Sequence, residues 1–267
     1  MRLLLAGLSA LSLLASCSTL PRPGSATEPP PSDAAAALLL QSARAHGDPW
    51  RTYRQVEVGY TGEWSGLATR LQPVLTDAGF RKDSVETYQP RLSRVRQVHT
   101  GPLGTKEVLR EGREVTVKFN GTAATDPEVL DAAALVADAY TVFLFGTSWL
   151  AEQGRDLRLL GERDLEGKRC QRVAGRLAPG FGVADEDHFI VWIEPESHLL
   201  KRFQFSLNGL DSTRGADVDV VFSDFWLAEN DTSTWPGRFV ERIQRPLRAK
   251  AHEWRMTSLT VDGRKLR

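Results

Sequence analysis

Cysteine is scarce in this chain. Its 267 residues hold two, Cys17 and Cys170, and once Cys17 is assigned to the N-terminal motif described below, no intrachain disulfide remains. The domain must therefore be held by its core. A basic excess is also missing. Lys and Arg total 34 against 34 Asp and Glu, so the chain lacks the positive footprint of a nucleic-acid-binding protein. Catalytic motifs are missing too. Gly146-Thr147-Ser148 begins like a nucleophile elbow, but Trp149-Leu150 stand where a closing glycine belongs. His252-Glu253 opens like a zinc-protease motif without a second histidine four residues on. There is no P-loop. Asp185, Glu186, Asp187 and His188 carry metal-ligand atoms, yet they read as a charged hairpin shoulder, and Cys170 reads as an inert core thiol. The expectation is a protein without enzymatic activity, metal or cofactor.

The most informative stretch is the first one. Met1-Arg2 supplies a positive charge, Leu3–Leu14 is a short leucine-rich run, and Leu14-Ala15-Ser16-Cys17 closes it. A charged start, an apolar core of about 7–15 residues and small residues at a cut make a secretory signal. The run is too short for a spanning helix of about 20 residues. With a cysteine directly after Leu-Ala-Ser, the motif resembles the bacterial lipobox. The resemblance implies a signal peptide over residues 1–16, cleavage between Ser16 and Cys17, and lipidation of Cys17 with palmitate-type chains. More than one chain makes such an anchor effectively permanent, because each buried CH₂ contributes about 0.8 kcal/mol. Ser18, in place of aspartate, implies the outer membrane in a diderm cell, with the domain facing the periplasm.

Past the signal, 251 residues are enough for one large domain or two small ones, and enough to bury a core. Residues 17–32 contain five prolines and read as a lipid-bearing, extended tether. The folded domain is expected over 33–267. Asp33 precedes a run of strong helix formers that ends before Gly47. After Trp50 the period changes to two, with Val56, Val58 and Tyr60 alternating against polar neighbours. Further strand patterns run over 84–88, 94–99, 107–110 and 114–119, separated by turn signals such as Asn120-Gly121. Residues 65–82 read as a short helix or a loop. Thr125-Asp126-Pro127-Glu128 carries a capping box and an early proline, and so predicts a helix. It leads into Tyr140–Leu150, the most apolar run after the signal. That run reads either as the wall of a hydrophobic pocket or as a helix buried on a sheet. Strand patterns resume at 156–161, 168–176, 188–193, 199–207, 216–223, 238–244 and 253–261. In Phe189–Ile193 both faces are apolar, which predicts cover on both sides. About twelve strands with short turns make an antiparallel meander.

Charge is segregated along the chain. Residues 185–231 hold eleven acidic and three basic residues, and residues 238–267 hold nine basic and three acidic. Two readings stand: neutralisation between adjacent strands, or a basic rim for anionic headgroups or an acidic partner.

A helix, a meander, a central helical insertion and a second meander resemble the lipoprotein-carrier fold of LolA, LolB and RseB. The local cues are Ala45-His46-Gly47 with Trp50, the hairpin Phe189–Phe205, and Phe222–Trp226 leading to Trp235-Pro236. The resemblance implies an α+β, mainly β fold: a strongly curved antiparallel sheet forming an open half-barrel, with helices on its concave side. It also implies an acyl-chain or lipid ligand. The candidate ligand-binding residues are Tyr140, Phe143, Phe145, Trp149 and Trp192. The leading expectation is a lipid-anchored protein that binds a hydrophobic ligand. A scaffold with a filled core that binds another envelope protein is the alternative, and a hydrolase without a recognisable motif is a third.

Overall fold

The computed structural model describes residue 20 and residues 29–228, 231–245 and 249–267. The signal peptide read over 1–16, with Ser16 and the lipidated Cys17, lies outside the described residues, as does most of the tether read over 17–32.

Helix α1 (Asp33–Ala45) begins at Ser32, whose hydroxyl accepts from the Ala35 N–H at 3.2 Å. The cap therefore sits one residue before Asp33, which occupies the first turn, where its charge complements the helix dipole. The single turn α2 (Pro49–Thr52) buries Trp50. Strand β1 (Val56–Trp64) follows, then two short helices, α3 (Gly66–Leu71) and α4 (Pro73–Thr76), over the stretch left open by the sequence. The first meander is β2 (Asp83–Gln89), β3 (Arg94–Gly101), β4 (Gly104–Glu111), β5 (Glu114–Phe119) and the short β6 (Thr122–Ala123).

The central insertion is α5 (Pro127–Phe145) and α6 (Thr147–Gln153). Asp126, rather than Thr125, caps α5, accepting from the Glu128 N–H at 3.0 Å. The apolar run Tyr140–Leu150 is not one helix but two, bent by 116° at Gly146. Gly146 has φ +53°, and a Cβ there would lie 3.1 Å from the Leu200 side chain, so the corner requires glycine. Among the described residues no single helix is long and apolar enough to cross a membrane.

The second meander runs β7 (Arg155–Leu165), β8 (Lys168–Leu177), β9 (Asp187–Ile193), β10 (Leu200–Leu207) and β11 (Ala216–Ser223). A small separate ladder, β12 (Trp226–Leu227) with β13 (Thr234–Trp235), interrupts it before β14 (Arg238–Arg245), β15 (Ala249–Val261) and β16 (Arg264–Lys265). One 14-stranded antiparallel sheet results, in the order β6-β5-β4-β3-β2-β1-β15-β14-β11-β10-β9-β8-β7, with β16 beside β15. β1 pairs with β15, which fuses the two meanders, while β6 and β7 stay unpaired with each other. The sheet is curved and open, as the resemblance to the carrier fold implies.

Register decides which side chains face the helices. On β14, β11 and β10, Phe239 stands opposite Phe222, Ile243 opposite Val218 and Phe205 opposite Val218. Val191 and Val173 continue this inner face on β9 and β8. The other face of β9 is covered as well: Ile190 and Trp192 pack with Cys170, Ala174 and Leu20. Cys170 is buried and unpaired there. Burial, and then the nearby Glu194 charge, raises its thiol pKa, which suits an inert role.

The segregated charges meet across strands. Asp219 bonds Arg202 at 2.6 Å and stands opposite Arg242 in register. Arg264 pairs with Asp231, and Arg255 reaches Asp224 at 3.6 Å. The neutralisation reading is the one the geometry supports.

Candidate functional site

α5 crosses the inner face, and most of its length is buried, from Ala132 through Phe145. Between α5, the sheet and the two short helices lies a cavity of about 240 Å³. Leu67, Ala68, Leu71 and Leu75 of α3 and α4 form its outer wall. Leu135, Ala139, Tyr140 and Phe143 of α5 form its floor, and Phe205, Leu207, Val218 and Ile243 come from the sheet. Leu67 and Leu71 are also 40% and 54% exposed, so apolar surface continues from the interior to the mouth. Across the mouth the Gln72 amide donates to the Ser212 carbonyl at 2.9 Å, and the Ser212 hydroxyl donates back to Gln72 Oε1 at 3.0 Å.

One end of this cavity is polar. Trp64, Arg81, Glu241 and His252 line it beside Tyr140. β1 and β15 place Trp64 opposite His252, and β14 and β15 place Glu241 opposite His252, so the three share one face. Arg81 comes from the loop after α4. It is 2% exposed and donates to the Tyr140 hydroxyl at 2.6 Å and to the Leu75 carbonyl at 2.9 Å. Its guanidinium also lies 4.7 Å from the centre of the Trp64 ring, a cation–π contact.

His252 Nε2 lies 2.5 Å from Glu241 Oε2. Burial, and then the positive charge of Arg81, holds the imidazole well below its usual pKa, so it is neutral. Burial pushes Glu241 up to about 7, against the opposing pull of Arg81. Burial likewise raises the Tyr140 phenol. No charged carboxylate stands ready at this end, only a carboxyl that keeps its proton to near neutrality.

Beyond the cavity lining, buried polar groups continue along the first meander. Glu86 is fully buried and accepts from Ser84 at 2.9 Å, from Gln97 at 3.1 Å and from the Tyr88 hydroxyl. His99 is buried, and Lys106 is buried against Asp77 at 2.7 Å. Sequence reasoning missed all of these. Their spacing is that of polar residues on the wet side of an alternating strand, and no motif marks them.

The five aromatic candidates separate. Tyr140 and Phe143 line the cavity. Phe145 does not: it is 1% exposed and packed by Trp50, Tyr88 and Trp235 at 5.1–6.3 Å. Trp149 is partly buried between Trp50 and Phe181, away from the opening. Trp192 is on the opposite face of the sheet, its indole N–H donating to Gln204 Oε1 at 2.6 Å, with Arg172 and Arg202 beside its ring. Strand parity explains the last: Val191 and Ile193 face inward, so Trp192 faces outward. Among the described residues no cluster of His, Cys, Asp and Glu could hold a metal ion.

No protein-family model matches the chain, and no curated protein matches it by sequence. By structure it is similar to a LolA-superfamily protein from Nitrosomonas europaea, with 13% identity and a TM-score of 0.50 over 87% of this chain and 93% of that one. It is also similar to a DUF1329-family protein from Desulfovibrio piger, with 10% identity and a TM-score of 0.51 over 88% of this chain and 94% of that one. At such identities the likeness is one of fold: a large curved antiparallel sheet with a few helices.

Proposed function

We propose that this protein is a non-enzymatic, lipid-anchored lipoprotein of the bacterial envelope that holds a hydrophobic ligand, an acyl chain or a lipid, inside its half-barrel. The observation that carries the reading is the apolar cavity of about 240 Å³ between α5 and the short helices α3 and α4. It is slightly smaller than the usual ligand site of about 300–1,000 Å³, which suits a single chain. A fully packed scaffold would close such a gap, because an empty apolar cavity costs about 24 cal/mol per Å³. The carrier fold supports the same reading. The lipobox-like Leu14-Ala15-Ser16-Cys17 and the following Ser18 support an outer-membrane anchor with the domain in the periplasm.

Native mass spectrometry of the protein after gentle detergent extraction tests the ligand. Adducts of lipid or fatty-acyl mass, lost when Phe143 is replaced by Ala, are expected; a bare protein mass throughout would overturn the carrier and favour a scaffold that binds another envelope protein. In the same preparation, Cys17→Ser is expected to move the protein from the membrane to the soluble fraction. Retention of the variant on the membrane would overturn the lipid anchor.

A further inference from the structure

The polar end of the cavity is short of acceptors. Arg81 Nε and Trp64 Nε1 are buried N–H donors with no hydrogen-bond partner among the described residues, and both residues line the cavity. A buried N–H left without an acceptor is unfavourable, because it has given up its hydrogen bonds to water. His252 Nδ1 lacks a partner as well. It becomes a third donor whenever Glu241 keeps its proton and donates a hydrogen bond to Nε2, because the neutral imidazole then carries its hydrogen on Nδ1.

Charge points the same way. The Arg81 guanidinium is buried, yet its hydrogen bonds go to a phenol and two backbone carbonyls, and no carboxylate lies within ion-pair distance of it among the described residues. A buried cation normally has an anionic partner, since removing one from water without compensation is expensive. Glu241, the carboxyl group that shares the cavity with Arg81, is bonded to His252. The site thus offers a fixed positive charge and unused donors at one end, hydrocarbon along its length, and the polar pair Gln72 and Ser212 at the mouth.

We propose that the cavity takes a single-chain amphiphile with a carboxylate head, a free fatty acid. The chain lies along Leu135, Phe143 and Val218, and the carboxylate accepts from Arg81 Nε–H and Trp64 Nε1–H. This rests on the hydrophobic-ligand reading above and adds the head group to it. A carboxylate has two oxygens with about four acceptor sites and completes the missing ion pair. An alcohol supplies one oxygen and no charge, and a methyl ester supplies acceptors and no charge.

The test is competition on the full-length chain. Protein released from detergent micelles is incubated with equal amounts of dodecanoic acid, dodecan-1-ol, methyl dodecanoate and a lysophosphatidic acid of the same chain, and the adducts are read by native mass spectrometry. The acid is expected to dominate the alcohol and the ester by about tenfold, a difference of about 1.4 kcal/mol. Trp64→Phe keeps the ring and removes one donor; it should cut acid occupancy several-fold and leave alcohol occupancy unchanged. Arg81→Gln should abolish the preference, and the Trp64 variant keeps the test alive if the Arg81 variant fails to fold. Equal occupancy by acid, alcohol and ester would overturn the head-group assignment while leaving the carrier intact. Preference for the phosphate head would overturn the carboxylate in favour of a phosphate. Absence of every adduct would overturn the carrier itself.

Discussion

From β8 to β11 the inner face of the sheet is carried by Val173, Val191, Phe203, Phe205, Val218 and Val220, all essentially inaccessible to solvent. From β2 to β4 the corresponding face carries Ser84, Glu86, Gln97, His99 and Lys106, equally buried. One sheet thus has two interiors. In the second meander the core is held by hydrocarbon and ring contacts, such as Phe203 on Phe205 at 4.8 Å and Phe181 on Phe205 at 5.4 Å. In the first, Tyr88, Val95 and Val108 share the face with buried polar groups, among them Glu86, which accepts from Ser84, Tyr88 and Gln97. Polar groups position partners but do not flow into gaps as aliphatic side chains do. Where Arg81, His252 and Glu241 meet Phe143 and Phe205, neither set fills the volume, and the cavity lies at that boundary. A half-barrel that needed only to be stable could carry the apolar lining across the sheet, so departures from that rule mark where function is expected.

The comparison breaks hardest under truncation of rings. Phe203 is fully buried among Phe181, Phe189 and Phe205. Phe203→Ala is expected to cost about 3–5 kcal/mol and leave ligand occupancy unchanged. Phe143→Ala removes a ring that already borders empty space, so less new cavity is made; a cost of about 2 kcal/mol with clear loss of ligand is expected. Thermal melts and adduct masses on both variants decide the matter. Equal costs with unchanged ligand in both would show that Phe143 is ordinary core.

The split between interiors was only half legible in the sequence. Alternation placed β1 correctly, because Val56 and Val58 are apolar residues that face inward, and the doubly apolar run Phe189–Ile193 marked β9 as covered on both sides. On β2 the same rule inverts. Val85 is 50% exposed, while Glu86 beside it is fully buried. Hydrophobicity cannot signal a carboxylate whose burial depends on Ser84, Tyr88 and Gln97 converging on it, since those partners are set by register and loop path. Arg81 is hidden for a related reason: it sits in a loop, and only the fold brings Tyr140, 59 residues away, to its side. The antiparallel meanders and the helical insertion were readable from period and turn chemistry, and the open curvature came from the resemblance to the carrier fold. The helix corner at Gly146 was not readable, because a single glycine followed by Thr147-Ser148 is also tolerated within one helix and large apolar residues stand on both sides of it.

Acid should separate the regions next. His46 ends α1 and ties it to the second meander: Nδ1–H donates to the Thr234 carbonyl at 3.1 Å, and Nε2 accepts from the Leu200 N–H at 3.0 Å. That pattern needs a neutral imidazole. Burial, and secondarily the Lys201 charge, lowers its pKa to about 4 from 6.5. Between those values the unfolded chain binds a proton that the folded chain refuses. Stability from His46 is therefore full above about pH 6.5 and is lost as pH falls towards 4, by roughly 3 kcal/mol. Glu241 acts with the opposite sign. Its pKa rises from 4.5 to about 7 on burial, so the folded state keeps a proton the unfolded state gives up, and stability falls as pH rises through that window. The two windows overlap and the slopes oppose, so melts of the parent between pH 4 and 7 should show little net change from this pair. His46→Gln should leave a stability that falls as pH rises, and Glu241→Gln one that rises with pH. A profile unchanged in both variants would place the titrating groups elsewhere.

The smallest expected effect on stability is at the mouth of the cavity, where the two interiors face solvent together. Gln72, between α3 and α4, and Ser212, on the connection from β10 to β11, exchange two hydrogen bonds that are both exposed. Exposed bonds compete with water, so Gln72→Ala should cost no more than about 0.5–1 kcal/mol in a melt. Its effect on exchange should be larger. These bonds pin the outer wall of the cavity, α3 and α4, to the second meander, and the proposed ligand is expected to pass between the two. Releasing the pin lowers the barrier to opening without touching the apolar lining, so exit and entry should both speed up and equilibrium occupancy should stay near that of the parent. Stopped-flow displacement of a fluorescent fatty acid measures the exit rate directly, and titration measures occupancy. An exit rate equal to the parent's would mean that the chain leaves by another route, and that the wall of α3 and α4 is a fixed part of the half-barrel rather than its gate.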